Sequence, residues 1–377
     1  MTDLDLLLAD VRALVACESP SSDLDAVARS AEVVAEIGAA RLGIEPERIV
    51  LDGRTHLRWR LGDSPHTVLL LGHHDTVWPL GSLAERPCTV EDGVLRGPGC
   101  FDMKAGLVMA FHAAAGLEGV TILVTGDEEL GSPSSRGLIE DEARRASAAL
   151  VLEAAGDQGA LKTERKGVSL YDVRVTGRAA HAGLEPERGV NATVELAHQA
   201  LAVAALTDPA AGTTVTPTTS QSGTTTNTVP AAGSLAVDVR VRTLAEQERV
   251  DHALHALRPV LPGSVVEVLG GPNRPPLEAT SSAALFARAS AVAVRLGLPA
   301  LVGAAVGGAS DGNFTAGVGT PTLDGLGAVG GGAHADDEHV LVDELPRRTA
   351  LLRALLEELL DLARPTKPPL AVGAGRP

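Results

Sequence analysis

Apolar residues recur with helical spacing from Leu4 to Ala16 and again from Asp23 to Leu42, which predicts two amphipathic helices. Three compact runs then break that rhythm: Thr67 to Leu71, Val120 to Thr125 and Ala148 to Leu152. They are short, rich in Val, Leu and Ile, and flanked by helical segments such as Lys104 to Ala115. Runs of this kind read as parallel strands buried on both faces and joined by crossover helices. Each passes directly into charged residues: His73 and Asp75, then Asp127 to Glu129, then Glu153. In open α/β sheets, ligands bind beyond the carboxyl ends of the strands.

After Gly167 the period changes to two. VSLYDVRVTG alternates, and so does SLAVDVRVRT, with Leu235, Val237, Val239 and Val241 on one side and Asp238, Arg240 and Arg242 on the other. Between these half-buried strands lie a helix from about Asn191 to Leu206 and a Thr-rich extended stretch from Thr213 to Thr228. A helix from Leu244 to Leu257 and a strand from Ser264 to Leu269 follow. The order β-α-β-β-α-β suggests a ferredoxin-like insert, with its pieces ending near Gly271. A helix from Ser281 to Leu296 resumes the first domain, and glycine-rich loops and a helix from Asp343 to Leu362 complete it. The expected fold class is therefore α/β: a mostly parallel sheet with helices on both faces, plus an inserted α+β domain. The expected boundaries are 1–166 and 273–365 for the first domain, 167–272 for the insert and 366–377 for a flexible tail.

Composition narrows the function. At 377 residues the chain suits two domains. A net charge of −16 and few aromatic residues oppose nucleic-acid and anionic-membrane partners. Cys17, Cys88 and Cys100 are widely spaced and supply neither a disulfide framework nor zinc-finger spacing. With no signal-peptide pattern and no bilayer-length apolar run, a soluble cytoplasmic protein is expected.

Five stretches concentrate metal-binding residue types: GHHDTVWP from Gly72, GPGCFDMKAG from Gly97, TGDEELGS from Thr125, VLEAAGD from Val151 and GGAHADDE from Gly331. Zinc takes nitrogen and oxygen ligands, and a catalytic site keeps one position open. Two zinc ions about 3.5 Å apart need a bridging carboxylate and further ligands on each. His73, Asp102, Glu129, Glu153 and His334 are the candidates. In a Glu-Glu pair at a strand end, one glutamate can bind metal while its neighbour, Glu128, serves as general base; the bland alternative is an acidic helix start.

These motifs, in this order and over most of the chain from about His66 to Leu352, resemble the co-catalytic dizinc peptidase family. That family contains glutamate carboxypeptidase, acetylornithine deacetylase, succinyl-diaminopimelate desuccinylase and aminoacylase. The resemblance implies a zinc-exopeptidase-type fold with a lid and dimerisation insert. It implies two Zn²⁺ held by His73, Asp102 as the bridge, Glu129, Glu153 and His334, with cobalt or manganese also suited to such sites. Asp75 would orient His73, Glu128 would be the base, and the Asp102–Met103 peptide would be cis. His74 is not the ligand, because the family pattern is Gly-His-any-Asp.

The stretch TGRAAHAGLEPERGVNA resembles the family's lid, where His181 would stabilise the oxyanion in the partner subunit of a homodimer. Asn227, Arg274, Gly307 and Gly308 match positions that hold a substrate carboxylate, a task suited to the planar fork of Arg274. Arg274 and Asn227 also suit turns. Arg240 is read as structural, as are His66, His112 and His339. Lys162, Arg165 and Lys166 form either an anion-steering group or a solvated basic cluster. Glu153, rather than Asp, resembles the carboxypeptidase and deacylase branch. The expected reaction is hydrolysis of an N-acyl or peptidyl amino acid, a small-molecule substrate, with release of C-terminal glutamate or a similar residue. The near rival is an N-acyl-amino-acid deacylase of the acetylornithine deacetylase or aminoacylase type. The remote one is a non-catalytic binding protein on the same scaffold.

Overall fold

The computed structural model describes residues 3–64 and 67–363. His66 and the expected tail at 366–377 lie outside them. The central sheet runs in the order Glu47–Leu51, Arg54–Leu61, Val120–Thr125, Thr67–His73, Ala146–Val151 and Thr322–Leu323. Its last four strands are mutually parallel, and Arg54–Leu61 is antiparallel to its neighbours. The hairpin at Glu47–Leu61 was not expected from the pattern. It closes on Asp52-Gly53, both at positive φ, a pairing suited to a two-residue hairpin turn.

Successive side chains of a strand point to opposite faces. Val68 and Leu70, Ile122 and Val124, and Ala148 and Leu150 face the larger core, which includes Trp59 and Phe111. Leu69 and Leu71, Leu123 and Ala149 face a smaller core with Ile139, Ala143 and Phe314. Helices Leu24–Leu42, Ala105–Ala114 and Glu344–Ala363 serve the first face, and Arg136–Arg145 and Gly312–Gly317 the second. Burial on both faces is why these strands are apolar at nearly every position.

The second sheet is antiparallel and runs Thr214–Ser222, Ala232–Val241, Gly167–Thr176, Val265–Arg274. Helices Ala192–Ala204 and Leu244–His255 pack Leu196, Val203, Val250 and Leu254 on its inner face, against Val173, Val237 and Val239. The outer face carries Asp172, Arg174, Asp238 and Arg240, so the alternation marks one wet side. This is the expected ferredoxin-like insert. Arg240 is held by Asp238 at 2.8 and 2.9 Å. His112 meets Asp10 at 2.8 Å, and His339 bonds the Asp337 carbonyl. Among the described residues, no helix is long and apolar enough to cross a membrane.

One buried glycine reports how closely the crossover helix lies on the sheet. A Cβ on Gly106 would fall on the carbonyl oxygen of Leu152. Helix propensity alone expects Gly106→Ala to stabilise by about 1 kcal/mol. The packing instead predicts a net loss of roughly 1–3 kcal/mol, read as a lower urea midpoint. A higher midpoint would show that the helix and the Glu153 strand end are not in register.

Candidate metal centre

The parallel strands deliver their carboxyl ends to one place. His73 is the last residue of its strand, Glu128 and Glu129 open a short helical turn just after Thr125, and Glu153 lies just after Val151. Asp102 comes from the irregular segment Cys100–Lys104, whose Asp102–Met103 peptide is cis. His334 arrives on a loop at positive φ.

Asp102 lies at the middle of the group. Its Oδ1 is 3.3 Å from His73 Nε2, and its Oδ2 is 3.3 Å from His334 Nε2. Glu153 Oε1 stands 3.7 Å from His73 Nε2, and Glu129 Oε1 stands 3.3 Å from His334 Nε2. The five expected ligands thus fall into two sets that share one carboxylate. His73 Nε2, Asp102 Oδ1 and Glu129 Oε1 are buried and make no aligned hydrogen bond. Buried polar atoms are nearly always satisfied, so convergent orphans of donor type N and O fit divalent cations. Ligand atoms of His73, Asp102 and Glu129, and of His73, Glu128 and Glu153, approach closely enough to surround an ion.

Electrostatics without a cation are unfavourable. Burial pushes the Glu153 carboxyl up to about 7, aided by Asp102 and opposed by Arg165. Burial also raises Glu128 well above the usual carboxylate range, against the pull of Arg274. His73 is pushed down by burial, but Asp102 and Asp75 outweigh this and hold it well above its ordinary value. Asp102 and Glu129 raise His334 to about 10. Protons take up the negative charge that a metal would otherwise meet.

Asp75 is buried, and its main-chain oxygen lies 2.9 Å from His73 Nδ1, closer than its carboxylate at 3.5 Å. That carboxylate accepts the N–H groups of Glu128 and Glu129, both at 3.2 Å. It therefore ties the His73 strand end to the Glu128 turn. Arg274 Nη1 lies 3.0 Å from Glu128 Oε1, and its Nη2 donates to Ser132 Oγ and Asp311 Oδ1. His181 and Asn227 lie together on the exposed edge of the insert, where Ala182 N–H donates to the Asn227 carbonyl. Gly307 and Gly308 are exposed, and Gly308 accepts from Arg165. The structure thus gathers the metal-facing residues, Glu128, Asp75 and Arg274, while His181, Asn227 and the Gly307–Gly308 loop make no hydrogen bond to them among the described residues.

A family model described as peptidase family M20/M25/M40 matches residues 69–358. The chain belongs to this family. It is similar to carboxypeptidase G2 of Pseudomonas sp. strain RS-16, at 33% identity over 79% of this chain and 75% of the relative. It is likewise similar to succinyl-diaminopimelate desuccinylase of Dechloromonas aromatica, at 31% identity over 85% of this chain and 90% of the relative. The crystal structure of aminopeptidase PepT from Bacillus cereus shares its fold, with a TM-score of 0.75, 22% identity, and coverage of 95% of this chain and 99% of that one. As an M20-family member, the protein is a metal-dependent hydrolase of amide bonds.

Several supports of this M20 site have partners that the motifs did not show. Arg165 is 5% exposed, not solvated; it bonds Asp324 at 2.6 Å and faces Glu153 Oε2 at 3.4 Å. Asp311 is buried between Ser132, Thr125 and Arg274. Asp127 caps the turn at Ser134 and Ser135. Glu338, the last residue of the GGAHADDE stretch, bonds the backbone around Asp102. An acid four residues after His334 was visible in the motif; its partners were not.

His74 points away from the centre, buried against Thr55 O at 3.0 Å and Ser30 Oγ at 3.2 Å. Burial lowers its pKa from 6.5 to about 4. The unfolded chain therefore binds a proton between pH 6.5 and 4 that the folded chain refuses. This contribution to stability is complete above pH 6.5 and is lost as pH falls toward 4, on the order of 3 kcal/mol. Urea midpoints of metal-free protein across this range should fall less steeply in His74→Asn. An identical slope in both proteins would mean that His74 is charged in the fold.

Proposed function

We propose that the protein is a dizinc carboxypeptidase-type amidohydrolase that releases a C-terminal amino acid, glutamate or a similar residue, from an N-acyl or peptidyl donor. The observation that carries this reading is the pair of ligand sets sharing Asp102, with Glu128 beside them. In this reading, residues 1–166 and 273–365 form the catalytic domain, and 167–272 form a lid through which two copies pair. His73 and Glu153 would hold one cation and Glu129 and His334 the other, with Asp102 common to both. Bound there, the cations would acidify water and polarise the scissile carbonyl.

The chain's own groups would do the rest. Glu128 accepts a proton from the attacking water and returns it to the leaving amine. The Arg274 contact orients the Glu128 carboxylate and favours its charged form against burial. Asp75 fixes the backbone of Glu128 and Glu129. His181, exposed on the insert, would reach the partner's site and donate to the developing oxyanion. Asn227, Arg274 and the N–H groups of Gly307 and Gly308 would hold the substrate carboxylate, with Arg274 sharing its guanidinium between Glu128 and substrate.

The similarity to carboxypeptidase G2 supports release of a C-terminal residue. The similarity to succinyl-diaminopimelate desuccinylase supports the second reading, an N-acyl-amino-acid deacylase. A panel of N-acyl glutamates, acetylornithine and short peptides, followed by product chromatography, separates the two. Turnover confined to acetylornithine would replace the first reading with the second.

Glu128→Gln should retain two metal equivalents and lose about 10²–10⁴-fold in kcat; near-native turnover would remove Glu128 as the base. His181→Ala should lower kcat about 10²-fold or more with metal content unchanged. Mixing it with inactive Glu128→Gln should restore part of the activity if His181 acts across a dimer. No recovery in mixed dimers would place its action, if any, within one chain.

A further inference from the structure

Glu338 stands outside the metal-facing group, yet three of its four bonds go to the segment that carries Asp102. The side chain is buried, at 4% exposure. Its Oε1 accepts from the N–H groups of Phe101 at 2.9 Å and Asp102 at 3.0 Å. Its Oε2 accepts from the N–H of Gly99 at 2.8 Å and the indole N–H of Trp78 at 2.7 Å. One carboxylate thus ties together the loop that carries His334, the segment that carries Asp102, and the chain just beyond His73 and Asp75.

We propose that Glu338 is the positioning residue for the Asp102 carboxylate, with Trp78 completing the same clamp. The segment needs one. Gly99 is left-handed at φ 71, and Asp102 and Met103 are non-helical at φ −116 and −132. Backbone of this shape has no sheet partner for its N–H groups, and Glu338 supplies acceptors for three of them. Asp102 must also aim its two oxygens in different directions, each 3.3 Å from a different imidazole. A small rotation of its peptide would improve one approach at the expense of the other. Glu338 fixes that rotation through the Phe101 and Asp102 N–H groups, and it does so from the His334 loop, so the two sides of the site are set by one group. The inference rests on the dimetal reading of this site.

Glutamine at position 338 has nearly the same shape but one acceptor oxygen and an amide that donates. Whichever way the amide turns, it presents hydrogens to two of the four donors. Zinc titration of metal-free protein by calorimetry should therefore show a 10–100-fold weaker affinity in Glu338→Gln for at least one ion. Trp78→Phe, which removes one donor, should weaken wild-type binding by less than this. Added to Glu338→Gln, the same change should recover part of the lost affinity, because one donor–donor clash disappears. A purely structural role would lower the melting temperature of the metal-free protein without this reversal of sign.

Fluorescence supplies a second readout. The two tryptophans are Trp59, in the core, and half-buried Trp78. Zinc should change the emission of the wild type and not of Trp78→Phe. Glu338→Gln with wild-type zinc affinity overturns the proposal. If that variant does not fold, an emission response that persists unchanged in Trp78→Phe, with wild-type affinity, overturns it instead. Wild-type protein that takes up no divalent cation refutes the dimetal reading itself, and the positioning role with it.

Discussion

The carboxylate of Asp102, held between two imidazoles, is the constraint around which the centre is arranged. Each of its oxygens faces one histidine and, beyond it, one glutamate. For a single aspartate to serve both sets, His73 must come from a strand end and His334 from a distant loop, with the Asp102 segment laid across the gap. The positions of Asp75, Glu338 and the glycines near Asp102 follow from that demand. Asp75 joins the His73 strand to the Glu128 turn, and Glu338 joins the His334 loop to the Asp102 backbone. Gly99 leaves room that a Cβ would take from Thr76.

Gathering acids in this way is costly, and the surrounding cations show how the fold tolerates it. Glu153 faces Arg165, and Glu128 faces Arg274. Asp311 and Asp324 bond other nitrogens of the same guanidiniums. Arginine suits these places because its charge persists when buried and its fork bonds two acids at once. The pairs do not neutralise the centre. Glu128 and Glu153 remain raised by burial, and the buried atoms of His73, Asp102 and Glu129 remain without aligned partners. A polar centre that is incomplete in protein alone is the physical mark of a metal site.

The residues proposed for chemistry and those proposed for recognition sit on different kinds of structure. The metal-facing residues sit on strand ends and on turns pinned by buried carboxylates, where small displacements are resisted by two cores. His181 and Asn227 sit on an exposed edge of the insert, with its own small core. Rigid placement suits groups that must converge within a few ångströms, and a separate body would suit the substrate-facing role proposed for His181 and Asn227.

Much of this was legible in the sequence because local rules act locally. Strands buried on both faces must be apolar throughout, so the Thr67, Val120 and Ala148 runs declared themselves, and period-two alternation revealed the one wet face of the insert. The five metal-facing residues were visible because each lies in a legible motif, and His73, Glu129 and Glu153 lie where an apolar run stops. The Glu47–Leu61 hairpin went unassigned although Leu57, Trp59 and Leu61 alternate with Arg58 and Arg60; Arg58 pairs with Glu47 of the neighbouring strand, and both arginines pair with Glu142. Tertiary structure alone decided which acid serves which partner. Arg165 reads in sequence as either an anion-steering or a solvated cation, yet it is buried between Asp324 and Glu153. Glu338 lies in a legible motif, but its four donors come from Trp78 and the Gly99–Asp102 backbone, far away along the chain. Periodicity encodes which side of an element is buried. It carries no information about which distant groups will be brought within hydrogen-bond reach.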